Sequence, residues 1–330
     1  MNWRLEAVTV NIKINVRLMT RRAQIGILLI SISSMVHSGQ GVIPAGPLGG
    51  TDISQALLPP PGFYGSWYGA MGTAKRWFES DGSTSALSAN ILGSGFGVAV
   101  VYPIKIFDGA IMSTIGSGYQ RTCAQGECSR GGRDIYADLF FWSRFFPAYT
   151  DNKWPEEKVK IPYGVAIAFG LGIQFPTGQY SSGSKANVGS NVYDFAPSVA
   201  VTYTTPSLLG EYFGQATEYS GRMFVNNYTE NHVSDYQSGR MLSLDFALTQ
   251  RHNRWQYGLA GTGLYQVEDD VVKGKNIGNR TKYLQPGVIV SYNFILDGKA
   301  SSVTAKLLSA VDGRNTVSAT SFYLRLVTEL

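Results

Sequence analysis

The chain has 330 residues, 44% apolar, 15% charged and 12% aromatic, with 38 glycines and a formal net charge of +5. Charged residues fall well short of the roughly 25% of an ordinary soluble domain, and glycine exceeds its usual ~7%. The 19 Tyr, 16 Phe and 6 Trp exclude a disordered chain, and no apolar run approaches the ~20 residues of a membrane-spanning helix, which leaves an all-β protein.

At the start of the chain, Arg21 and Arg22 precede an apolar run from Ile25 to Val36 that is too short to span a bilayer. Val36 and Ser38 stand where the small residues of a cleavage site belong, so residues 1–38 read as a secretory signal peptide, with Met19 as its natural start. This segment holds Arg4, Lys13, Arg17, Arg21 and Arg22 against Glu6 alone, and its removal lowers the net charge from +5 to +1. The electrostatic argument for nucleic-acid binding goes with it. Residues 39–62 then form a Pro/Gly-rich lead-in ending in Leu57-Leu58-Pro59-Pro60-Pro61-Gly62.

Beyond the lead-in the chain settles into alternating stretches. The first six are Phe63–Phe78, Gly95–Ile106, Ala110–Tyr119, Asp134–Phe146, Pro162–Phe175 and Val192–Thr204. Tyr212–Asn226, Arg240–Arg251, Trp255–Val267, Thr281–Phe294, Ser301–Ala310 and Val317–Leu330 follow. All twelve exceed the usual 5–6 residues of a soluble strand. In Tyr163–Phe175 one face carries Tyr163, Val165, Ile167, Phe169, Leu171, Ile173 and Phe175, and the other only Gly, Ala and Gln174. Such unbroken period-2 patterning predicts a strand with one apolar face.

Three features point to a barrel in lipid rather than a soluble sandwich. The strands match the ~9–11 residues of a tilted crossing. Tyr163 and Phe175, Tyr193 and Tyr203, Trp255 and Tyr265, and Tyr283 and Tyr292 stand near strand ends, where aromatic girdles belong. Short connections such as Phe107-Asp108-Gly109 and Asp297-Gly298 alternate with longer polar ones at Glu79–Ser94, Gln120–Gly132 and Glu268–Arg280. The expected fold is a transmembrane antiparallel up-and-down β-barrel of about 12 strands over residues 63–330, in the bacterial outer membrane. Its partners are outer-membrane lipids. The charged stretch 147–161 is long for a periplasmic turn. Cys123 and Cys128, in a Gly-rich loop of an exported chain, predict a disulfide. Metal binding is the alternative, with no His or further Cys nearby to complete a ligand set.

The segments Gly50-Thr51-Asp52-Ile53, Leu58-Pro59-Pro60-Pro61-Gly62-Phe63-Tyr64, Phe175-Pro176-Thr177-Gly178-Gln179-Tyr180 and Asn187-Val188-Gly189-Ser190-Asn191-Val192-Tyr193, with Pro197, carry a resemblance. Together they resemble the outer-membrane family named for the meta-pathway of phenol degradation, which includes transporters of aromatic compounds. The resemblance covers roughly residues 44–330 and implies an outer-membrane barrel linked to uptake of hydrophobic or aromatic compounds. Leu330 departs from the terminal aromatic common in bacterial barrels.

If the apolar face meets lipid, the other lines a lumen. The candidate path residues are Tyr136, Asp138, Phe140, Trp142, Arg144, Asp194, Asp245 and Arg325, with Glu218, Arg222, Lys306 and Glu329 as further inward charges. These charges form either a polar conduit or ion pairs that brace the wall. The aromatics among them offer stacking surface for a ring. The Gly/Ala face of 164–172 leaves volume for water or for the lead-in, so Leu58, Pro59, Pro60 and Pro61 are plug candidates; a periplasmic tail is the alternative. Catalysis is not expected, because His232 and His252 fall at opposite barrel ends and no phosphate-loop pattern is present. No cofactor or metal is expected. The expected function is passive uptake of small hydrophobic, aromatic solutes, against a general porin or a structural, surface-binding barrel.

Overall fold

The computed structural model describes residues 52–148 and 161–330. The expected signal peptide, the lead-in up to Thr51 and the charges of the 147–161 connection lie outside the described residues. Twelve long strands follow one another: β1 (Gly62–Phe78), β2 (Thr84–Ile106), β3 (Gly109–Ala124), β4 (Ile135–Pro147), β5 (Gly164–Phe175) and β6 (Asp194–Pro206). Next come β7 (Ala216–Tyr228), β8 (Met241–His252), β9 (Trp255–Gln266), β10 (Lys282–Leu296), β11 (Lys299–Ser309) and β12 (Thr316–Glu329). Each pairs antiparallel with its neighbours in sequence, and β1 pairs with β12 from Tyr64↔Glu329 to Phe78↔Thr316. The sheet is therefore closed, the condition for a strand protein to cross lipid without unpaired backbone.

The alternation is inverted relative to a soluble protein. In β6, Ala196, Ser198, Ala200 and Thr202 are buried inside while Phe195, Val199, Val201 and Tyr203 are exposed outside. In β8, Ser243, Asp245, Ala247 and Thr249 point in, and Leu242, Leu244, Phe246 and Leu248 point out. One end carries tight turns at Phe107-Asp108, Asn253-Arg254 and Asp297-Gly298, where positive φ at Phe107, Asp108, Asn253, Asp297 and Gly298 matches strand twist. The other end carries the longer connections 176–193, 229–240 and 267–281. Longer loops face outward in outer-membrane barrels, so both ends of the barrel domain lie on the periplasmic side.

Several boundaries differ from expectation. The stretch 84–94, expected in an outer loop, extends β2, because Leu87, Ala89 and Ile91 keep the inward phase and Ala89 and Ile91 pair with β1. Likewise β3 runs to Ala124 and folds back as the strand Glu127–Gly132, with Cys123 opposite Cys128 and their sulfurs bonded. The positive φ of Gly164 breaks the phase before β5, so Tyr163 turns inward onto Ile161 and Ala216 instead of joining a girdle. Tyr283 also points inward, among Val192, Tyr228, Tyr236, Met241 and Leu264.

Candidate functional site

The lumen is built over the small side chains of β5. Ala166, Ala168, Gly170 and Gly172 face inward, and their lack of bulk lets groups from β4, β6 and β7 lie across them. A Cβ on Gly170 would fall 2.6 Å from Ser198 Oγ, 2.8 Å from Arg222 Nη2 and 2.8 Å from Phe141 Cδ2. One on Gly172 would fall 2.2 Å from the Tyr136 hydroxyl. Over this floor Arg222 of β7 reaches Asp138 of β4 in a two-point pair, Nη2–Oδ1 2.6 Å and Nη1–Oδ2 3.1 Å. Its Nε donates to Ser198 Oγ at 3.1 Å. Tyr136 donates to Asp138 at 2.9 Å, and the rings of Phe141 and Phe224 lie 4.6 and 4.4 Å from the guanidinium carbon. A buried charge needs a partner and hydrogen bonds of this kind.

The rest of the Gly/Ala face is covered by the lead-in. Residues 52–58 lie inside the barrel, with Ala56 fully buried against Phe141, Ala166, Ala168 and Ala200. Its polar groups are matched to the wall. The Ser54 N–H and hydroxyl donate to the Glu218 carboxylate at 2.7 and 3.0 Å. The Gln55 and Ala56 N–H groups donate to Ser220 Oγ at 2.9 Å and Thr202 Oγ1 at 3.0 Å. The carbonyl of Ala56 accepts from Ser143. Asp52 is buried between Lys306 of β11, 2.7 Å away, and Arg325 of β12, 3.2 Å away. Burial pushes its carboxyl up, but the two cations outweigh this and hold it below its ordinary value. Beside the segment, toward β1–β3, remains a cavity of about 250 Å3. Ile53, Leu57 and Leu58 of the segment line it together with Tyr64, Tyr68, Tyr136 and the charged groups of Asp138, Arg222 and Arg325.

The expected path residues divide into two groups. Tyr136, Asp138, Asp194, Asp245 and Arg325 all face the interior. Asp138 and Arg325 are paired as above, Asp194 accepts the Asn227 N–H at 2.9 Å, and Asp245 sits across from Arg222 in the β7–β8 register. Phe140, Trp142 and Arg144, expected in the lumen, face outward. The cause is a bulge: β4 pairs Asp138↔Gly172 and then Phe140↔Leu171, so Leu139 is an extra residue and the phase reverses after it. Trp142 instead stacks on Phe169 at 5.9 Å and donates to the Ile106 carbonyl at 2.6 Å on the outer surface. Arg144 pairs with Asp108 of the β2–β3 turn at 3.1 Å. Phe141 and Ser143 take the inward positions.

The plug candidates also shift. Pro59, Pro60 and Pro61 are exposed at the periplasmic end, Leu58 and Pro59 line the cavity, and the lumen is filled by the six residues before Leu58. Asp52, Ser54, Ala56 and Phe141 were not legible as site residues. Asp52 alone carried a signal, as the only ionisable residue in 39–62 facing a barrel with inward cations.

The family described as "Putative MetA-pathway of phenol degradation" matches residues 62–326. No curated protein matches the chain. Among solved structures, the COG4313 outer membrane channel from Pseudomonas putida F1 is similar with a TM-score of 0.66 at 13% identity, over 83% of this chain and 97% of that one. The translocator domain of the autotransporter NalP from Neisseria meningitidis aligns over 83% of this chain and 91% of that one at 10% identity, with a TM-score of 0.43. The first of these shows the same fold. A closed twelve-strand barrel with an apolar outer belt belongs in a bacterial outer membrane. With 62–326 matched, this outer-membrane barrel is a member of the MetA-pathway phenol-degradation family.

Proposed function

We propose that the chain is an outer-membrane channel for passive uptake of small, mostly apolar, aromatic compounds, with residues 52–58 as an internal constriction that yields when solute passes. The observation that carries the reading is the cavity beside that segment. Ile53, Leu57, Leu58, Phe141 and three tyrosine rings line it, beside the charged groups of Asp138, Arg222 and Arg325, a lining that offers an aromatic ring both stacking surface and partners for a polar substituent. The family's link to phenol degradation and the description of the similar Pseudomonas putida protein as an outer membrane channel support the same direction. A general porin calls for a wide aqueous lumen, whereas here a twelve-strand barrel is narrowed further by its own N-terminal segment.

The test is to refold residues 39–330, and a chain lacking 39–58, into planar bilayers and into vesicles with lipopolysaccharide in the outer leaflet. The full chain is expected to give little steady current while admitting 1-naphthol well ahead of glucose. The truncated chain is expected to give a larger ohmic current and to lose that preference. A steady current from the full chain with equal entry of both solutes would establish a general porin. Entry of neither solute through either chain would establish a non-transporting barrel.

A further inference from the structure

We propose that the extracellular mouth holds a second, separate site: a preformed chamber that captures a small apolar ring bearing one hydrogen-bonding group. The inference rests on the uptake reading only for the class of solute. The chamber measures about 610 Å3 and lies between the outer ends of β1–β3 and β12 and the 176–193 connection. On the strand side Trp77 and Leu87 pack on Ala89 and Val317, beside the polar groups of Glu79, Ser85, Thr122 and Gln125. The facing wall, from the connection, supplies Tyr180, Ser182 and Lys185. Apolar contact beside hydrogen-bonding groups suits a ring with a single hydroxyl, whereas an alkane leaves the polar groups unmet.

The chamber is held open rather than formed on demand. Lys185 Nζ lies 3.2 Å from Glu127 Oε1, and Ser184 Oγ lies 3.1 Å from Ser129 Oγ. Both contacts tie the facing wall to the Glu127–Gly132 strand, which the Cys123–Cys128 disulfide staples to β3. Asn187 Nδ2 donates to the Ser181 carbonyl at 3.0 Å and fixes the curve of that wall. Preorganisation of this kind removes the ordering cost from binding. The disulfide thus acquires a task at the mouth, apart from the stability of the barrel.

The experiment is titration of the refolded mature chain with 4-nitrophenol at pH 6, read as quenching of tryptophan emission. A saturable quench is expected, largely lost in Trp77→Phe, and unaffected by glucose. Ser85→Phe, at the lining position paired with Trp77, is expected to weaken binding at least tenfold. Should that variant fail to fold, Tyr180→Phe serves in its place, with a severalfold loss for 4-nitrophenol and none for nitrobenzene. Absence of a saturable quench, or wild-type affinity in the folded Ser85→Phe or Tyr180→Phe chain, overturns the proposal. Chamber binding without 1-naphthol entry would sink the uptake reading and keep the chamber. Entry without chamber binding would do the reverse.

Discussion

At the scale of single residues, the lumen is organised around what β5 leaves out. Gly170 faces inward at the point where Arg222, Ser198 and Phe141 converge, and a methyl there would stand 2.6–2.8 Å from all three. None of these neighbours is free to swing away, since Arg222 is held at two points by Asp138. Gly170→Ala is therefore expected to cost about 1–3 kcal/mol through overpacking, read from urea unfolding of the barrel in detergent micelles. Gly221 of β7, whose closest neighbour to an added Cβ is 3.4 Å away, should tolerate the same change. Asp52 carries the other residue-scale consequence. Lys306 and Arg325 outweigh burial and hold its carboxyl below the ordinary carboxylate range when docked, so undocking is accompanied by proton uptake in acid. The docked segment is then fully favoured at neutral pH, and that advantage is lost only as pH falls below about 4 through the docked value. Conductance of the full chain is expected to stay flat from pH 8 to 4 and to rise below it. Asp52→Asn should raise the neutral-pH conductance and abolish the acid step; an unchanged profile in that variant would remove Asp52 from the latch.

At the scale of elements, legibility followed the regularity of the period. β6 and β8 alternate without interruption, so their faces can be read directly from the order of residues. β4 cannot be read that way, because a single extra residue at Leu139 reverses every side chain beyond it. Nothing in Leu139-Phe140-Phe141-Trp142 marks the bulge, since apolar side chains stand on both faces. The outer part of β2 was hidden for the opposite reason: its Ser- and Thr-rich run resembles a loop, and only pairing with β1 makes it strand. The 52–58 segment was legible as a possible lumen occupant but not in its boundaries, which are set by hydrogen bonds to β6 and β7, far away in sequence. Cysteine substitution tests the bulge directly. Phe140→Cys is expected to react with a lipid-soluble maleimide and Ser143→Cys to be shielded from it by the wall. The opposite result would restore an unbroken alternation through β4.

At the scale of the whole molecule, the barrel's place in the membrane follows from its outer surface. Val199 lies midway along β6 with its side chain outside, whereas Leu208 sits in the β6–β7 connection at the periplasmic end. Both are exposed aliphatic residues, so in water a charge at either would cost little. In a bilayer the two positions separate, because an arginine on the lipid face costs about 2–4 kcal/mol at the midplane and about 0–1 near the interface. Val199→Arg should therefore destabilise the folded barrel strongly and Leu208→Arg hardly at all, measured by unfolding in lipid vesicles. The same pair compared in a detergent with a thin, yielding apolar layer should show a smaller gap. Equal costs for the two variants in vesicles would mean that the apolar belt is not centred on the strands, and with it the assignment of inside and outside, on which the lumen and its occupant depend, would fail.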